Sequence, residues 1–297
     1  MLSHSRAVAA SPSRVVLLGA KGFVPSHLIA HLVRVGWPHL ALGSTVLDLT
    51  LPESSGKLAQ ILRPTDTLVF AAALTPEKGR DTATLIRNLR MVENVSVALK
   101  ASPCEHAIYF SSDSVYGWDS PAITEATPPS PDNLYGVMHL AREVALRECT
   151  RALGIPLCIL RCCAVYGPGD THNAYGPNRF VRTALASGKI EMFGQGEDTR
   201  DHVHINDVVR LTCLSIEHQS AGVLNVVSGR SVTFEHVAAE IAKTAATPVE
   251  ISFVPRAAPA THRSFSRADA EAAFPTFRPI TIEEGVSKLV RDTSQNS

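Results

Sequence analysis

The chain has no excess of either charge: Lys+Arg and Asp+Glu number 28 each in 297 residues. Such a balance leaves no basic field to attract nucleic acid and no polybasic face to hold a membrane, so a small molecule is the expected partner. Nor is there a stretch approaching the roughly 20 consecutive apolar residues that a membrane-spanning helix requires. The opening MLSHSRAVAASP carries an apolar run too brief for a signal-peptide core. None of the six cysteines (Cys104, Cys149, Cys158, Cys162, Cys163, Cys213) forms a CxxC pair or stands at a zinc-like spacing from histidine. No metal is therefore expected, and the thiols read as reduced and mostly buried in a cytoplasmic protein. Apolar material is plentiful: a 45% hydrophobic chain can bury a sizeable core without staples.

Short β-branched runs alternate with helical patterns through the first half, as parallel strands joined by crossover helices do. Val15 to Gly19 reads as a buried strand, followed by a helix from Phe23 to near Gly36. Leu40 to Gly43, Thr67 to Ala73, His106 to Ser112 and Pro156 to Cys162 are further apolar runs of strand length. Helical patterns cover about Asp81 to Ala101 and Asn133 to Leu153. The expected fold is α/β, a Rossmann doubly wound parallel sheet with a small C-terminal substrate-binding lobe. Residues 1–13 are expected as a disordered tail, 14–167 as the dinucleotide-binding core, 168–291 as mainly the lobe with elements returning to the core, and 292–297 as a frayed tail.

The strand at Val15 runs into Gly19-Ala20-Lys21-Gly22-Phe23-Val24-Pro25 and then a helix. A glycine turn at that place lets a pyrophosphate approach the backbone and the free N–H groups of a helix start. Pro25 stands where the dinucleotide fingerprint has its third glycine, within the first helical turn, where a missing N–H costs little. The second strand ends at Leu42-Gly43-Ser44-Thr45, with neither the acid that favours NAD nor the base that favours NADP. Asp48 could meet an adenine amino group or be an ordinary loop residue. Ala71, Ala72 and Ala73 close the next strand with small side chains that let a cofactor lie against the backbone.

Ser111-Ser112-Asp113-Ser114 ends a strand, and Tyr135-Gly136-Val137-Met138-His139 opens a helix on which Tyr135 and His139 share a face. Leu160-Arg161, Val165-Tyr166-Gly167-Pro168-Gly169 and Arg200-Asp201-His202-Val203-His204-Ile205-Asn206-Asp207-Val208-Val209 follow in order. With these elements the chain resembles the extended short-chain dehydrogenase/reductases, the nucleotide-sugar epimerase/dehydratase family, over nearly its whole length. The resemblance implies that Ser112 bonds a substrate hydroxyl or ketone while Tyr135 exchanges its proton, with His139 and Asp113 beside them. It implies a cofactor site of Gly19, Gly22, Phe23, Val24, Asp48, Leu49, Ala71, Ala72, Ala73, Asn88, Ser111, Tyr135, His139 and Cys162, holding NAD, with NADP not excluded. Arg200 and Arg263 would grip the diphosphate of a nucleotide sugar. Asn178 and Arg179, with His172, are further candidate substrate contacts. By the same resemblance the expected assembly is a homodimer.

Two places depart from the family. Its tyrosine is followed four residues on by a lysine, which binds the nicotinamide ribose and lowers the phenol pKa; here that place is His139. A neutral imidazole lacks the charge, and a protonated one would favour work on the acid side. Ala164 stands where many relatives have an asparagine that touches the sugar nucleotide. Asp113 is followed by Ser114 and not by the glutamate that elimination needs, so the expected activity is C4 epimerisation, with 4-keto reduction or dehydration as alternatives. A non-catalytic NAD(P)-sensing Rossmann protein is the alternative of another class.

Overall fold

The computed structural model describes residues 2–118, 122–170 and 175–295. Its first half runs β1 (Ser3–His4), β2 (Arg14–Leu18), α1 (Phe23–Arg34), β3 (His39–Leu42), α2 (Ser54–Ile61), β4 (Asp66–Phe70), α3 (Thr82–Ala101), β5 (His106–Ser112), α4 (Leu134–Leu153) and β6 (Leu157–Cys162). The second half holds β7 (Ala164–Tyr166), α5 (Pro177–Ser187), β8 (Lys189–Phe193), β9 (Thr199–His204), α6 (Ile205–Glu217), β10 (Ser220–Val226), β11 (Ser231–Thr233), α7 (Phe234–Thr244), β12 (Glu250–Val254), α8 (Ala268–Ala273) and α9 (Ile282–Gln295).

Seven strands form one sheet in the order β1-β10-β6-β5-β4-β2-β3, parallel except where β1 joins. The inner strands are apolar through most of their length because helices cover both faces: Val15, Val16, Leu17 and Leu18 are all buried. One apolar cluster packs α1 and α6 on one face, and a second packs α2, α3 and α4 on the other. The chain leaves β2 for β3 on one side and returns to β4 on the other, which opens a crevice at the carboxyl ends of β2 and β4. Ligands of doubly wound sheets bind at such a switch point.

A third apolar cluster forms the lobe, from Phe180, Ile190, Met192, Phe234, Val237, Ile241, Val286 and Leu289. It joins α5, α7 and α9 to a two-stranded β8–β12 pair, and a three-stranded sheet β11-β9-β7 lies beside it. Strand β10 and helix α6 return from this half to the main sheet.

The beginning of the chain differs from the loose tail expected there. Ser3 and His4 pair antiparallel with Ala221 and Ser220, Leu2 is buried, and His4 bonds Ser220 Oγ at 2.8 Å and the Ala273 carbonyl at 3.0 Å. The reason is the otherwise open edge of β10, whose backbone groups take up these residues. At the other end, α9 continues past Arg291 to Gln295, so the fraying expected from residue 292 does not begin there; residues 296–297 lie outside the described residues.

Candidate active site

The crevice begins at Gly19. Its φ of +96° suits only glycine, and a Cβ there would lie 2.7 Å from Ala72 Cα, so β2 and β4 approach each other here because both lack bulk. Gly22 caps α1 in extended conformation without any side-chain cap. The N–H groups of Phe23 and Val24 make no hydrogen bond among the described residues, and Pro25 fills the next position with a buried ring. Two unpaired helix-start donors at a switch point suit a pyrophosphate. Gly22 itself has an ordinary φ of −73°, and a Cβ there would press on the Pro25 ring at 3.2 Å and touch the Gly19 carbonyl oxygen at 3.5 Å. Within the chain a side chain there is opposed by the Pro25 ring alone, and any further need for glycine comes from what approaches the turn.

The other cofactor candidates divide into groups that face the crevice and groups that hold it. Asp48 spends one carboxylate oxygen on its own loop, accepting from Thr50 N and Oγ1 at 2.9 and 2.8 Å, and Leu49 is a core residue. Asn88 is buried and clamps Leu74, accepting from its N–H at 2.9 Å and donating to its carbonyl at 3.0 Å, which fixes the strand exit at Ala71–Leu74. Ser111 donates to Glu143 at 2.6 Å, and Glu143 in turn binds Arg161 at 2.6 Å, so the Ser111 side chain belongs to a buried ion pair under the site. Cys162 is half-buried at the end of β6, with its thiol turned toward the Leu160 carbonyl.

Ser112 ends β5 and caps the 3-10 turn Asp113–Val115, accepting from Ser114 N at 3.1 Å while its hydroxyl donates to Ser114 Oγ at 3.1 Å. Opposite, Asn133 caps α4 through Gly136 N at 3.0 Å, which sets the first turn that carries Tyr135. Gly136 lets this helix lie against the 3-10 turn, for a Cβ there would collide with the Ser114 carbonyl oxygen. Tyr135, Ser114, Asn88, Thr84, Leu74, Pro76, Arg80 and Met138 line a cavity of about 340 Å³. Burial raises the Tyr135 phenol above its ordinary value, Asp113 adds to the rise, and Arg142 opposes it. Burial likewise lifts the Asp113 carboxyl, against the pull of Arg263 at 3.1 Å.

His139 does not supply the charge that a protonated imidazole could have given. It is 3% exposed, its ring lies edge-on to Tyr135 at 4.6 Å, and burial with the nearby Arg142 pushes its pKa down to about 3. The imidazole is neutral throughout the working range. Its Nδ1 bonds the Tyr109 hydroxyl at 2.8 Å and its Nε2 is buried without a partner among the described residues.

The substrate candidates are brought together only in part. Arg200 and Arg263 stack on one ring, their guanidinium carbons 4.8 and 4.2 Å from the centre of Trp118. Their donors are engaged within the protein, however. Arg200 bonds Thr199 O, Thr261 O and Thr261 Oγ1. Arg263, 5% exposed, bonds Asp113, Tyr116 O and Gly117 O. Asn178 is buried and uses its whole amide on the Gly167 N–H and carbonyl, holding the loop after β7. Arg179 is half-buried beside Tyr175 on α5, and His172 lies outside the described residues. Among the described residues no group of three or more His, Cys, Asp or Glu could hold a metal ion, and no helix is long and apolar enough to cross a membrane.

Three residues of the site were missed in the sequence. Arg142 is fully buried on the sheet face of α4; its signal was the spacing i, i+4, i+7 from Tyr135, which puts a cation on an apolar helix face. Lys21 lies over Gly43, its Cγ 3.7 Å from the place of a Cβ there; the basic group sought at the end of the second strand stands in the glycine turn instead. Trp118 became visible only once the fold placed two arginines against it.

A doubly wound sheet with a phosphate-type turn at its switch point, and a serine and a tyrosine on adjacent elements of the same crevice, defines an enzyme of the extended short-chain dehydrogenase/reductase type. The chain belongs to the NAD dependent epimerase/dehydratase family, whose model matches residues 15–227. It is 25% identical over 223 residues to the uncharacterized UDP-glucose epimerase YtcB of Bacillus subtilis (strain 168), covering 66% of this chain and 70% of that protein. Its fold matches that of RMD from Pseudomonas aeruginosa complexed with NADPH at TM-score 0.84 and 27% identity, over 96% of this chain and 100% of that one. It also matches MoeE5 in complex with UDP-glucose and NAD at TM-score 0.83 and 25% identity, over 95% and 99% of the two chains.

Proposed function

We propose that the protein is an NAD(P)-dependent nucleotide-sugar epimerase acting at C4. The observation that carries this reading is the placing of Tyr135 on the wall of the cavity at the carboxyl ends of β4 and β5, with the Ser112–Ser114 turn beside it. The solved neighbours hold NADPH, or UDP-glucose with NAD, and the open N–H groups of Phe23 and Val24 with the bare Gly19–Ala72 contact suit the same kind of cofactor. When bound, NAD(P) supplies reversible hydride exchange with the sugar carbon. Ser112 holds the reacting oxygen, and Tyr135 takes and returns its proton. Trp118 with Arg200 flanks the path for the nucleotide. Since Ser114 follows Asp113, no carboxylate stands at the next position to remove a proton for elimination, which favours epimerisation over dehydration.

The free state of the six cysteines suits a reducing cytoplasm. Exposed apolar residues on α3 (Ile86, Val97) and α4 (Leu134, Val137, Val144) suit a homodimer joined through these two helices. Incubating the protein with UDP-, GDP-, dTDP- and CDP-sugars, with epimer formation followed by NMR, tests the activity. Epimer formed by the native protein and reduced at least about a hundredfold by Tyr135→Phe is the expected result. NAD(P) binding with no turnover of any sugar would favour the sensor, a reading to which the engaged forks of Arg200 and Arg263 lend support.

A further inference from the structure

Residues 167–170 lie between β7 and α5, and among the described residues they make no backbone–backbone hydrogen bond. Side chains hold them instead. From α5 in the lobe, Asn178 accepts from the Gly167 N–H at 3.0 Å and donates to the Gly167 carbonyl at 2.6 Å, and Arg182 donates to the Asp170 carbonyl at 3.0 Å. The Pro168 carbonyl between them goes to the core: His27 on α1 donates to it from Nε2 at 2.8 Å. A carbonyl only accepts, so this nitrogen carries a proton whether the ring is neutral or charged, and the bond is kept in both states.

Two glycines bring the loop close. Gly167 stands at φ +152°, where a Cβ would lie 2.3 Å from Ile205 Cγ2, and Gly169 at φ +78°, where a Cβ would lie 3.8 Å from His27 Nε2. The loop is thus pressed on the start of α6 and passes over the His27 ring, in backbone angles that favour glycine.

His27 also touches the glycine turn. It follows Phe23 by four residues, on the same face of α1, and the two rings meet edge-on with their centres 5.3 Å apart. Phe23 carries one of the two unpaired N–H groups of the helix start. One imidazole therefore joins the turn that suits a pyrophosphate to the loop that α5 grips from the lobe.

We propose that His27 couples two binding sites: through its bond to the Pro168 carbonyl, NAD(P) at the Gly19–Val24 turn and a nucleotide sugar at the lobe strengthen each other's binding. Whichever ligand binds first fixes the turn, His27 and the loop in one arrangement, so the second has less to order, and the gain is equal in both directions. The second ligand is taken from the nucleotide-sugar reading, on which this part rests. His27 is a positioning residue that acts through Phe23 and the loop.

Calorimetry with UDP, GDP and dTDP as probes, without and with saturating NAD, measures the coupling. In the native protein the nucleotide that binds should do so at least about fivefold more tightly when NAD is present, and NAD should gain the same factor from the nucleotide. His27→Phe keeps a ring against Phe23 but has no donor. Its coupling factor should fall to about one, with NAD affinity in the absence of nucleotide within about twofold of native. His27→Gln, whose amide N–H can reach the carbonyl, should restore most of the coupling, a rescue that a merely structural role does not give. No coupling in the native protein, or equal coupling in native and His27→Phe, overturns the proposal. Should none of the three nucleotides bind, the nucleotide-sugar reading fails, and hydrogen exchange with NAD alone decides for His27. NAD should slow the amides of Gly167, Gly169 and Asp170 in native protein and not in His27→Phe; equal slowing in both, or none in the native protein, overturns it.

Discussion

At the Gly19–Val24 turn the groups that face the crevice are backbone donors without partners, whereas around Trp118 the guanidiniums of Arg200 and Arg263 are already bonded to protein oxygens. Both regions match their family motif in sequence. The difference is that a main-chain turn keeps its donors fixed by local geometry, while a long side chain goes to whichever acceptor the fold brings nearest. A motif of backbone shape therefore transfers with its readiness to bind, and a motif of side chains transfers only with its residue types.

The sharpest test of the side-chain region is to remove its two arginines singly. Arg263→Ala strips the ion-pair partner from a largely buried Asp113 and leaves the Tyr116 and Gly117 carbonyls short of a donor, so urea unfolding should show a loss of about 3–5 kcal/mol. Arg200→Ala removes bonds to Thr199 and Thr261 at a half-buried site, and its main effect should be on nucleotide-sugar affinity, weaker by about 1.5–3 kcal/mol in calorimetry, with NAD(P) affinity kept. Equal destabilisation by both would make the two arginines alike as structural groups.

At the turn, Gly19→Ala and Gly22→Val should part company. The first forces a Cβ into Ala72 at a φ of +96°, and should cost both stability and about two orders of magnitude in NAD(P) affinity. The second, at an ordinary φ, needs only a small shift of the Pro25 ring 3.2 Å from its Cβ; it should lose NAD(P) binding, read by cofactor fluorescence, while its melting temperature falls less than that of Gly19→Ala. Retained binding in Gly22→Val would remove the turn from the site.

Buried imidazoles make the fold sensitive to acid. Burial holds His106 and His204 at about 4 and His139 and His202 at about 3, all below the unfolded value. Each binds its proton more readily in the unfolded chain, so stability is complete above about pH 6.5 and falls as pH drops toward the native values, at up to about 1.4 kcal/mol per pH unit for each histidine. The raised carboxyls of Asp113, Asp201 and Asp207 work in the opposite sense. His202, whose two ring nitrogens lack partners among the described residues, isolates one share: His202→Phe should flatten the fall between pH 6 and 4 by about that slope in urea titrations. An identical slope would mean that this imidazole titrates normally.

The smallest expected effect concerns Lys21, which overlies Gly43 at the end of β3. If its ammonium faces a ribose 2′-phosphate, Lys21→Ala should lower the NADP-to-NAD affinity ratio by about three- to tenfold, which corresponds to roughly one surface ion pair. An unaltered ratio would leave the cofactor choice to other groups.

Much of the frame was legible because it depends on short-range regularities. The apolar runs at Val15, Thr67, His106 and Pro156 became the inner strands of the sheet, since a parallel strand covered on both faces must be apolar throughout. Less legible were the short strands of the lobe and the pairing of Ser3–His4 with β10, where two to five residues are held by partners far along the chain. Asn88 and Asn178 were read as possible ligand contacts, and both amides are closed on backbone groups, an outcome that no local pattern distinguishes.

By itself the sequence determined the doubly wound core, the glycine turn and the order of the family's motifs, because backbone conformation and periodic burial follow from neighbouring residues. Only the tertiary structure decided which charges are available. It buried Arg142 on the sheet face of the helix that also carries Tyr135, held His139 neutral, and bound Arg263 to Asp113. A side chain's protonation and free donors depend on burial and on partners from other elements, here Tyr109 and Phe70 on neighbouring strands and Asn88 on α3, which meet α4 only once the sheet has formed.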